Sequence, residues 1–187
     1  MNTLMTQLHG DHRNLESLLV ILEGQLTVFE AGDKPDYELI GNILDYFLSY
    51  PDECHHPGED LIYRKLIQRD PDLRHEIDSL LKEHEVLQQL TRRFATLIGD
   101  VLLDAEISRQ QIGALSREFI DTYRDHIRRE EAIFLPRAEA RLNAADWADI
   151  SISLANHDDP LFGPRTHQEY RRLRHEIADM AAADAGP

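Results

Sequence analysis

Apolar residues recur at alternating steps of three and four along most of this chain, which is the period of an amphipathic α-helix. Four such stripes follow one another, and polar residues interrupt each of them at one or two positions. With those interruptions in parentheses, the stripes are Leu8, (His12), Leu15, Leu19, Leu22, Leu26, Phe29; Ile40, Leu44, Leu48, Pro51, (His55), (Glu59), Ile62, Leu66; Leu73, Ile77, Leu80, (His84), Leu87, Thr91, Phe94, Ile98, Val101; and Ile112, Leu115, Phe119, Tyr123, (His126), (Glu130), Ile133. Alternating patterns typical of strands are scarce. The sequence therefore predicts an all-α protein.

Short polar segments separate the four stripes. The first is "AGDKPD", in which Asp36 can cap the helix that follows; the second is "RDPD", where Pro71 begins the next segment; and the third lies around "LLDAEIS". Four long helices with short connections predict an up-down-up-down four-helix bundle. Further helical segments follow it. We expect residues 1–142 to form the bundle and residues 143–187 to form a C-terminal helical extension packed on the same domain.

The composition narrows the classes of partner. The formal net charge is −15, from 35 acidic and 20 basic residues, which argues against binding to nucleic acid or to an anionic membrane. A cation suits this charge better. Neither a signal peptide nor a membrane-spanning apolar run is visible, and Cys54 is the single cysteine, so we expect a cytoplasmic protein without an intrachain disulfide.

Ionisable side chains occupy stripe positions at which the core of a bundle requires apolar residues. A buried carboxylate without a partner is strongly unfavourable, so it must be neutralised, paired or bound to a metal. His55 with Glu59 and His126 with Glu130 are pairs four residues apart, and this spacing places both members of a pair on one helix face. An imidazole nitrogen and a carboxylate oxygen at that spacing can chelate one ion, and a carboxylate can bridge two.

The ionisable stripe residues fall at matching heights along the predicted bundle. Those flanking the turn near Asp33 lie 21 and 22 residues from it, those flanking Asp70 lie 11 and 14 residues away, and those flanking Asp104 lie 20 and 22 residues away. At a rise of about 1.5 Å per residue, these offsets amount to about 5 Å or less. We therefore predict a single inward-facing layer of candidate metal ligands: His12, His55, Glu59, His84, His126 and Glu130.

Each of these residues alone could have an ordinary structural role or be partly exposed. That alternative explains the whole set much less well. A single HxxxE pair is common on helices, and the whole set without a cation would be a costly buried network that shares protons. Nitrogen and oxygen ligands without a thiolate favour iron, manganese or zinc. Six ligands exceed the needs of one tetrahedral zinc ion, so we expect two ions, which a pair of carboxylates could bridge.

The segments that carry these residues resemble the hemerythrin-like (HHE cation-binding) family. They are "LHGDH", "HHPGEDLIY", "KEHEVL" and "DHIRREEAIFLP", and the resemblance covers roughly residues 5 to 140. It implies a non-haem di-iron centre whose two iron ions are bridged by Glu59 and Glu130 and by an oxo, hydroxo or water bridge, with manganese or zinc as alternative metals. The protein ligands that it implies are the six residues of the predicted layer.

The sequence departs from the oxygen carriers of marine worms at two places. Those carriers have an HxxxH pair on the third helix, whereas the residue four before His84 is Leu80. They also have an aspartate five residues after the fourth-helix histidine, whereas Glu130 follows His126 by four. The set looks more like the hemerythrin domains of iron sensors and of iron–sulfur repair proteins. One ligand fewer implies an open or water-filled position on one iron.

Two classes of function remain open on this basis. The first is a module that binds or senses oxygen, nitric oxide or iron. The second is a di-iron oxidoreductase that consumes peroxide or nitric oxide, or an iron donor in iron–sulfur cluster repair. The expected partner is a small diatomic ligand or peroxide, and the sequence identifies neither a protein partner nor catalytic residues.

Other histidines and tyrosines of the chain are not expected to bind the metal. On a regular helix His56 points about 100° away from His55, which favours a neighbour over a ligand. Tyr63 is expected to pack in the core, and His157, which follows the bundle, is expected to be structural or exposed.

The segment "YPDECHHPGEDLIYRKL" combines the His55–Glu59 pair with residues that disfavour a regular helix. Pro51 and Pro57 each remove a backbone donor close to His55. We therefore expect a kink or a weakened hydrogen bond there, and our hypothesis is that this distortion sets the height and aim of His55. A straight helix from Tyr50 to Asp60 would refute it.

Overall fold

A computed structural model describes residues 3–154 and 159–184, and the regular structure within these ranges is helical. Eight α-helices are described: α1 (Thr3–Glu30), α2 (Tyr37–Tyr50), α3 (His56–Arg69), α4 (Arg74–Leu102), α5 (Arg109–Arg129), α6 (Leu135–Arg141), α7 (Ala144–Ser153) and α8 (Arg171–Asp184). Two π-helical turns join some of them end to end: the first π turn is Pro51–His55, and the second is Glu130–Phe134.

These elements make four long helices. The first is α1, the second runs through α2, the first π turn and α3, the third is α4, and the fourth runs through α5, the second π turn and α6. Each is in contact with the next, and the fourth closes the arrangement against the first. The short connections make neighbouring helices antiparallel, which confirms the predicted all-α bundle. The predicted cap is also present, because the side chain of Asp36 accepts a hydrogen bond from the backbone N–H of Leu39 at 3.0 Å.

The first π turn lies where the sequence predicts a departure from a straight helix. Here the N–H of His56 donates to the carbonyl of Pro51, five residues earlier. The buried positions Phe47, Pro51, His55 and Glu59 are spaced by three consecutive steps of four. On a straight α-helix at about 100° per residue, twelve residues overshoot three full turns by about 120°. A π turn takes up one extra residue, about 100° of that excess, and so keeps these positions facing the core.

The second π turn corrects one detail of the predicted fourth stripe. The stripe placed Ile133 inside, but Ile133 is 40% exposed and Phe134 is 1% exposed. The cause is the extra residue of the turn, in which the N–H of Leu135 donates to the carbonyl of Glu130. The inward positions therefore continue from Glu130 to Phe134 and Ala138 in steps of four.

The core consists of two apolar clusters. One contains Leu15, Tyr50, Leu87 and Tyr123, and the other contains Leu8, Ile62, Leu80 and Phe134. On each long helix, the predicted ionisable layer lies between a residue of one cluster and a residue of the other. The layer therefore interrupts the core at a single level of the bundle, with apolar packing above and below.

The C-terminal segments pack on the outside of the bundle. Asp146, on α7, lies 2.8 and 2.7 Å from two guanidinium nitrogens of Arg69, and Tyr46 donates to Asp159 at 2.9 Å. Leu161 and Leu173 are buried in the cluster that contains Leu15. The predicted position of His157 lies outside the described residues. None of the described helices has the length and apolar character needed to cross a membrane.

The attachment of α7 provides a first test. Asp146 is buried, accepts from the N–H of Asn143 in a capping box, and pairs with Arg69. Asp146→Ala should therefore loosen the start of α7 and its contact with α3, and we expect limited proteolysis to cleave near α7 several-fold faster. Asp149→Ala is the control, because Asp149 is exposed and makes one ion pair, with Lys65. Equal cleavage rates in the two variants would contradict this account.

Candidate metal centre

All six predicted ligand residues converge inside the bundle, and each is at most 7% exposed. The two carboxylates lie at the centre. Glu59 oxygens lie 3.3, 3.5 and 3.6 Å from Nε2 of His12, His55 and His84. Glu130 oxygens lie 3.2, 3.4 and 3.2 Å from Nε2 of His12, His84 and His126. The structure therefore brings together, at one level, residues from all four long helices.

The four histidines of the set share one orientation: Nε2 faces the two glutamates and Nδ1 faces another carboxylate. The Nδ1–oxygen distances are 2.7 Å for His12 and Glu131, 3.3 Å for His55 and Asp11, 2.8 Å for His84 and Asp60, and 3.3 Å for His126 and Glu83. A hydrogen on Nδ1 that is donated to a carboxylate leaves the Nε2 lone pair free for a metal. Metal-binding histidines in proteins are usually held in this way.

The four outer carboxylates form a closed ring around the bundle, which we call the carboxylate ring: Asp11, Asp60, Glu83 and Glu131. We call the six converging residues, His12, His55, Glu59, His84, His126 and Glu130, the central layer. Each member of the carboxylate ring is the sequence neighbour of a residue in the central layer, but it contacts the histidine of a different helix. Asp11 on the first long helix contacts His55 on the second, and Asp60 on the second contacts His84 on the third. Glu83 on the third contacts His126 on the fourth, and Glu131 on the fourth contacts His12 on the first. Every long helix therefore both orients a histidine and presents one.

Several polar atoms at the centre of this site have no hydrogen-bond partner within the described structure. They include Nε2 of His12, Nε2 of His126, both oxygens of Glu59 and one oxygen of Glu130. An unsatisfied buried polar group costs about 1–3 kcal/mol, and more when it is charged. Because all of these atoms are lone-pair donors that point at one another, a cation satisfies them together. The residues therefore fit a metal.

Without a cation, protons on the histidines of the layer balance the charge of the carboxylates. Burial lowers the pKa of His84, but hydrogen bonds to Asp60 and Glu130 outweigh it and raise the pKa to about 10. Burial likewise lowers the pKa of His12, but the neighbouring carboxylates of Glu130, Glu131 and Glu59 outweigh it and raise the pKa well above its ordinary value. Protons on these histidines balance the carboxylates, and a metal ion would replace those protons.

Two groups of side chains can each hold one ion. His12, His55 and Glu59 form one, and a second consists of His56, Glu59, His84 and His126. Within each group, the ligand atoms lie within 4.8 Å of one another. Glu59 belongs to both, as expected of a carboxylate that bridges two ions.

His56 is the residue of the second group that sequence reasoning missed. It is 5% exposed, and burial, followed by the charges of His84, His55 and His126, holds its pKa well below the ordinary value. The prediction that it points away from the site assumed a regular helix, whereas the first π turn ends directly before it. The prolines signal that irregularity, but they do not give its direction.

Tyr63 also has a polar contact in addition to its predicted packing. Its hydroxyl donates to Oε1 of Glu130 at 2.8 Å, and the side chain is fully buried. Burial, together with the charges of Glu130 and Glu59, holds the pKa of Tyr63 well above its ordinary value, so the hydroxyl keeps its proton. Tyr63 thus fixes one oxygen of Glu130 and leaves the other facing His12 and His126.

Comparison with known protein families matches residues 3–138 to one described as the hemerythrin HHE cation binding domain. A search of curated proteins finds no match to the chain. The family match contains the whole central layer and the whole carboxylate ring.

Proposed function

Because this chain belongs to the hemerythrin HHE cation-binding family, we propose that it binds two iron ions in the central layer and uses them to bind or sense oxygen, nitric oxide or iron. The proposed protein ligands are His12, His55, Glu59, His84, His126 and Glu130, with Glu59 and Glu130 as bridges. Manganese and zinc are the alternative metals for this set of nitrogen and oxygen donors.

One observation carries this proposal. Buried lone-pair donors on the first, second and fourth long helices converge without hydrogen-bond partners in the described structure, and the Nδ1 atom of each histidine of the central layer is already directed at a carboxylate. Neither oxygen of Glu59 accepts a hydrogen bond within the described structure, and both keep distances of 3.3, 3.5 and 3.6 Å from the three histidine Nε2 atoms that they face, which suits atoms that share a cation better than atoms that share a proton. A pair of divalent ions compensates the buried negative charge and occupies the space to which these atoms point.

The protein side chains determine what can approach the metals. Bound iron supplies reversible coordination and one-electron chemistry. Around it, two central glutamates and the carboxylate ring make the surroundings strongly negative, and Arg129, paired with Glu83, adds one positive charge at the edge. Ions bound in the central layer would offset most of this charge, and the proposed small ligands, oxygen, nitric oxide and hydrogen peroxide, are neutral molecules that approach it without electrostatic repulsion.

A cavity of about 620 Å³ favours the second candidate function, a di-iron oxidoreductase that consumes peroxide or nitric oxide. It lies beside the His55 half of the site, and its walls include Asp11, Tyr50, Cys54 and Phe162. Tyr50 donates to Asp11 at 3.2 Å, and Asp11 contacts His55, so polar groups lead from the cavity to a proposed ligand. This volume would admit either substrate together with water.

The proposal predicts both a metal content and a reactivity. Protein produced with iron supplied should contain close to two irons per chain by elemental analysis. Oxygen, hydrogen peroxide and nitric oxide are then added in turn to the reduced protein while the visible spectrum is followed. A spectral change that reverses when oxygen is removed supports binding or sensing. Consumption of many equivalents of peroxide or nitric oxide per protein supports the oxidoreductase. Protein that contains no transition metal would exclude both functions.

A further inference from the structure

His56 occupies a buried position directly against the proposed ligands. It is the first residue of α3, immediately after the first π turn, and its side chain is 6% exposed. Its ring is stacked on that of His84, with centroids 4.5 Å apart and an angle of 15° between the planes. It also meets the ring of His126 edge to face, at 5.9 Å. His56 therefore lies in the central layer.

The two ring nitrogens of His56 are arranged as in the other four histidines of the layer, except that the contact of Nδ1 with a carboxylate is longer than a hydrogen bond. Nδ1 lies 3.6 Å from Oδ1 of Asp52, one turn earlier on the same helix, and the carboxylate of Asp52 is itself 4% exposed. Nε2 is buried and has no partner within the described structure. A histidine with a purely structural role would bury its ring with both nitrogens satisfied. His56 instead has one nitrogen facing a carboxylate and one unsatisfied.

The ligand atoms of His56, Glu59, His84 and His126 all lie within 4.8 Å of one another. Two metal–ligand bonds of about 2.1 Å span at most about 4.2 Å, so these four atoms are close to the separations that ligands of one ion have, and binding an ion would draw them inward. Of the two groups that share Glu59, His56 belongs to the one without His12 and His55. One ion would then have three histidines and the other two.

We propose that His56 is a seventh protein ligand, bound through Nε2 to the ion shared with His84 and His126 and oriented by Asp52. This inference rests on the proposed function. It also bears on Leu80, which stands one turn before His84 and cannot bind a metal. The second long helix would supply an imidazole in its place, so this ion would have one protein ligand more than the six predicted residues provide.

The test compares His56→Phe and Asp52→Asn with wild type and with His75→Phe. Phenylalanine preserves the stacked ring without a ligand atom, the Asp52 variant keeps the His56 ring but weakens its orientation, and His75 is an exposed histidine on α4 that serves as control. Each protein is loaded with ⁵⁷Fe, and iron per chain is measured during competition with a chelator. Mössbauer spectra of the same samples resolve the two iron environments.

We expect His56→Phe to retain one iron firmly and to lose the other at chelator concentrations that leave wild type with two. Asp52→Asn should weaken the same iron by about 10–100-fold, which is the usual effect of removing a carboxylate that orients a ligand. In the Mössbauer spectrum, the signal of the three-histidine iron should disappear or shift, while the other remains.

The inference is overturned if wild type holds two irons and both variants match His75→Phe in chelator resistance and in spectrum. Should circular dichroism show that His56→Phe is unfolded, Asp52→Asn decides the question, because it keeps the ring. Wild type without iron is a different result, since it would remove the proposed function itself.

Discussion

Glu59→Ala should leave the protein with less than about a tenth of the iron of wild type. Glu59 belongs to both groups of candidate ligands, and its two oxygens face histidines of three helices. Its loss therefore removes a ligand from each ion and also the charge that holds the ions together. Losing one orienting carboxylate typically weakens metal binding by about 10–100-fold, and the loss of a bridging ligand should exceed this. Elemental analysis after desalting is the measurement.

Glu53→Ala is the matched control for this experiment. Glu53 is an exposed carboxylate on the first π turn, six residues before Glu59, so its removal changes the net charge equally without touching the layer. We expect Glu53→Ala to retain two irons. If Glu59→Ala kept its iron as well, the central position of Glu59 would have no role in binding, and both proposed bridges would have to be reconsidered.

The second large effect concerns stability. A ligand that binds only the folded state stabilises it by about 4 kcal/mol when present at 1,000 times its dissociation constant, and the central layer should form only in the folded bundle. We therefore expect iron to raise the free energy of unfolding by at least this amount. Guanidinium unfolding of metal-free and iron-loaded protein, followed by circular dichroism, measures the difference.

Glu59→Gln separates this effect from ordinary packing. Glutamine has nearly the same shape as glutamate but no charge, and the histidines that face Glu59 can release a proton when the carboxylate is lost, so no buried charge is left without a partner in the metal-free site. We expect metal-free Glu59→Gln to lie within about 1 kcal/mol of metal-free wild type, and iron to add almost nothing. A large loss of stability in the metal-free variant would show instead that the glutamate stabilises the bundle by itself.

The sequence predicted those parts of this structure that depend on helical period alone. Each of the four stripes becomes a long helix, and the polar interruptions meet at one level because antiparallel helices of similar length carry them at similar distances from the turns. His12, which lies between Leu8 and Leu15, illustrates the logic, since its neighbours belong to the two clusters on either side of the layer.

The features that escaped prediction depend on rotation about a helix axis or on contacts between helices. A π turn changes the facing of every later residue by about 100° relative to a regular helix, which explains both the exposure of Ile133 and the inward position of His56. The carboxylate ring was also missed, because Asp11 and Glu131 lie beside their stripes. Their role becomes visible only when the neighbouring helix is in place.

The carboxylate ring has a mechanical consequence. Because its four contacts run in one sense around the bundle, no long helix can turn about its own axis without moving the imidazole of the next one. Rotation of one long helix is therefore coupled to the others through the four histidines. A displacement of one histidine, for example on a change at a bound ion, would therefore act on the neighbouring helix through each of these four contacts, all at the same height along the bundle. In such an arrangement, the four long helices respond together to a change in the central layer.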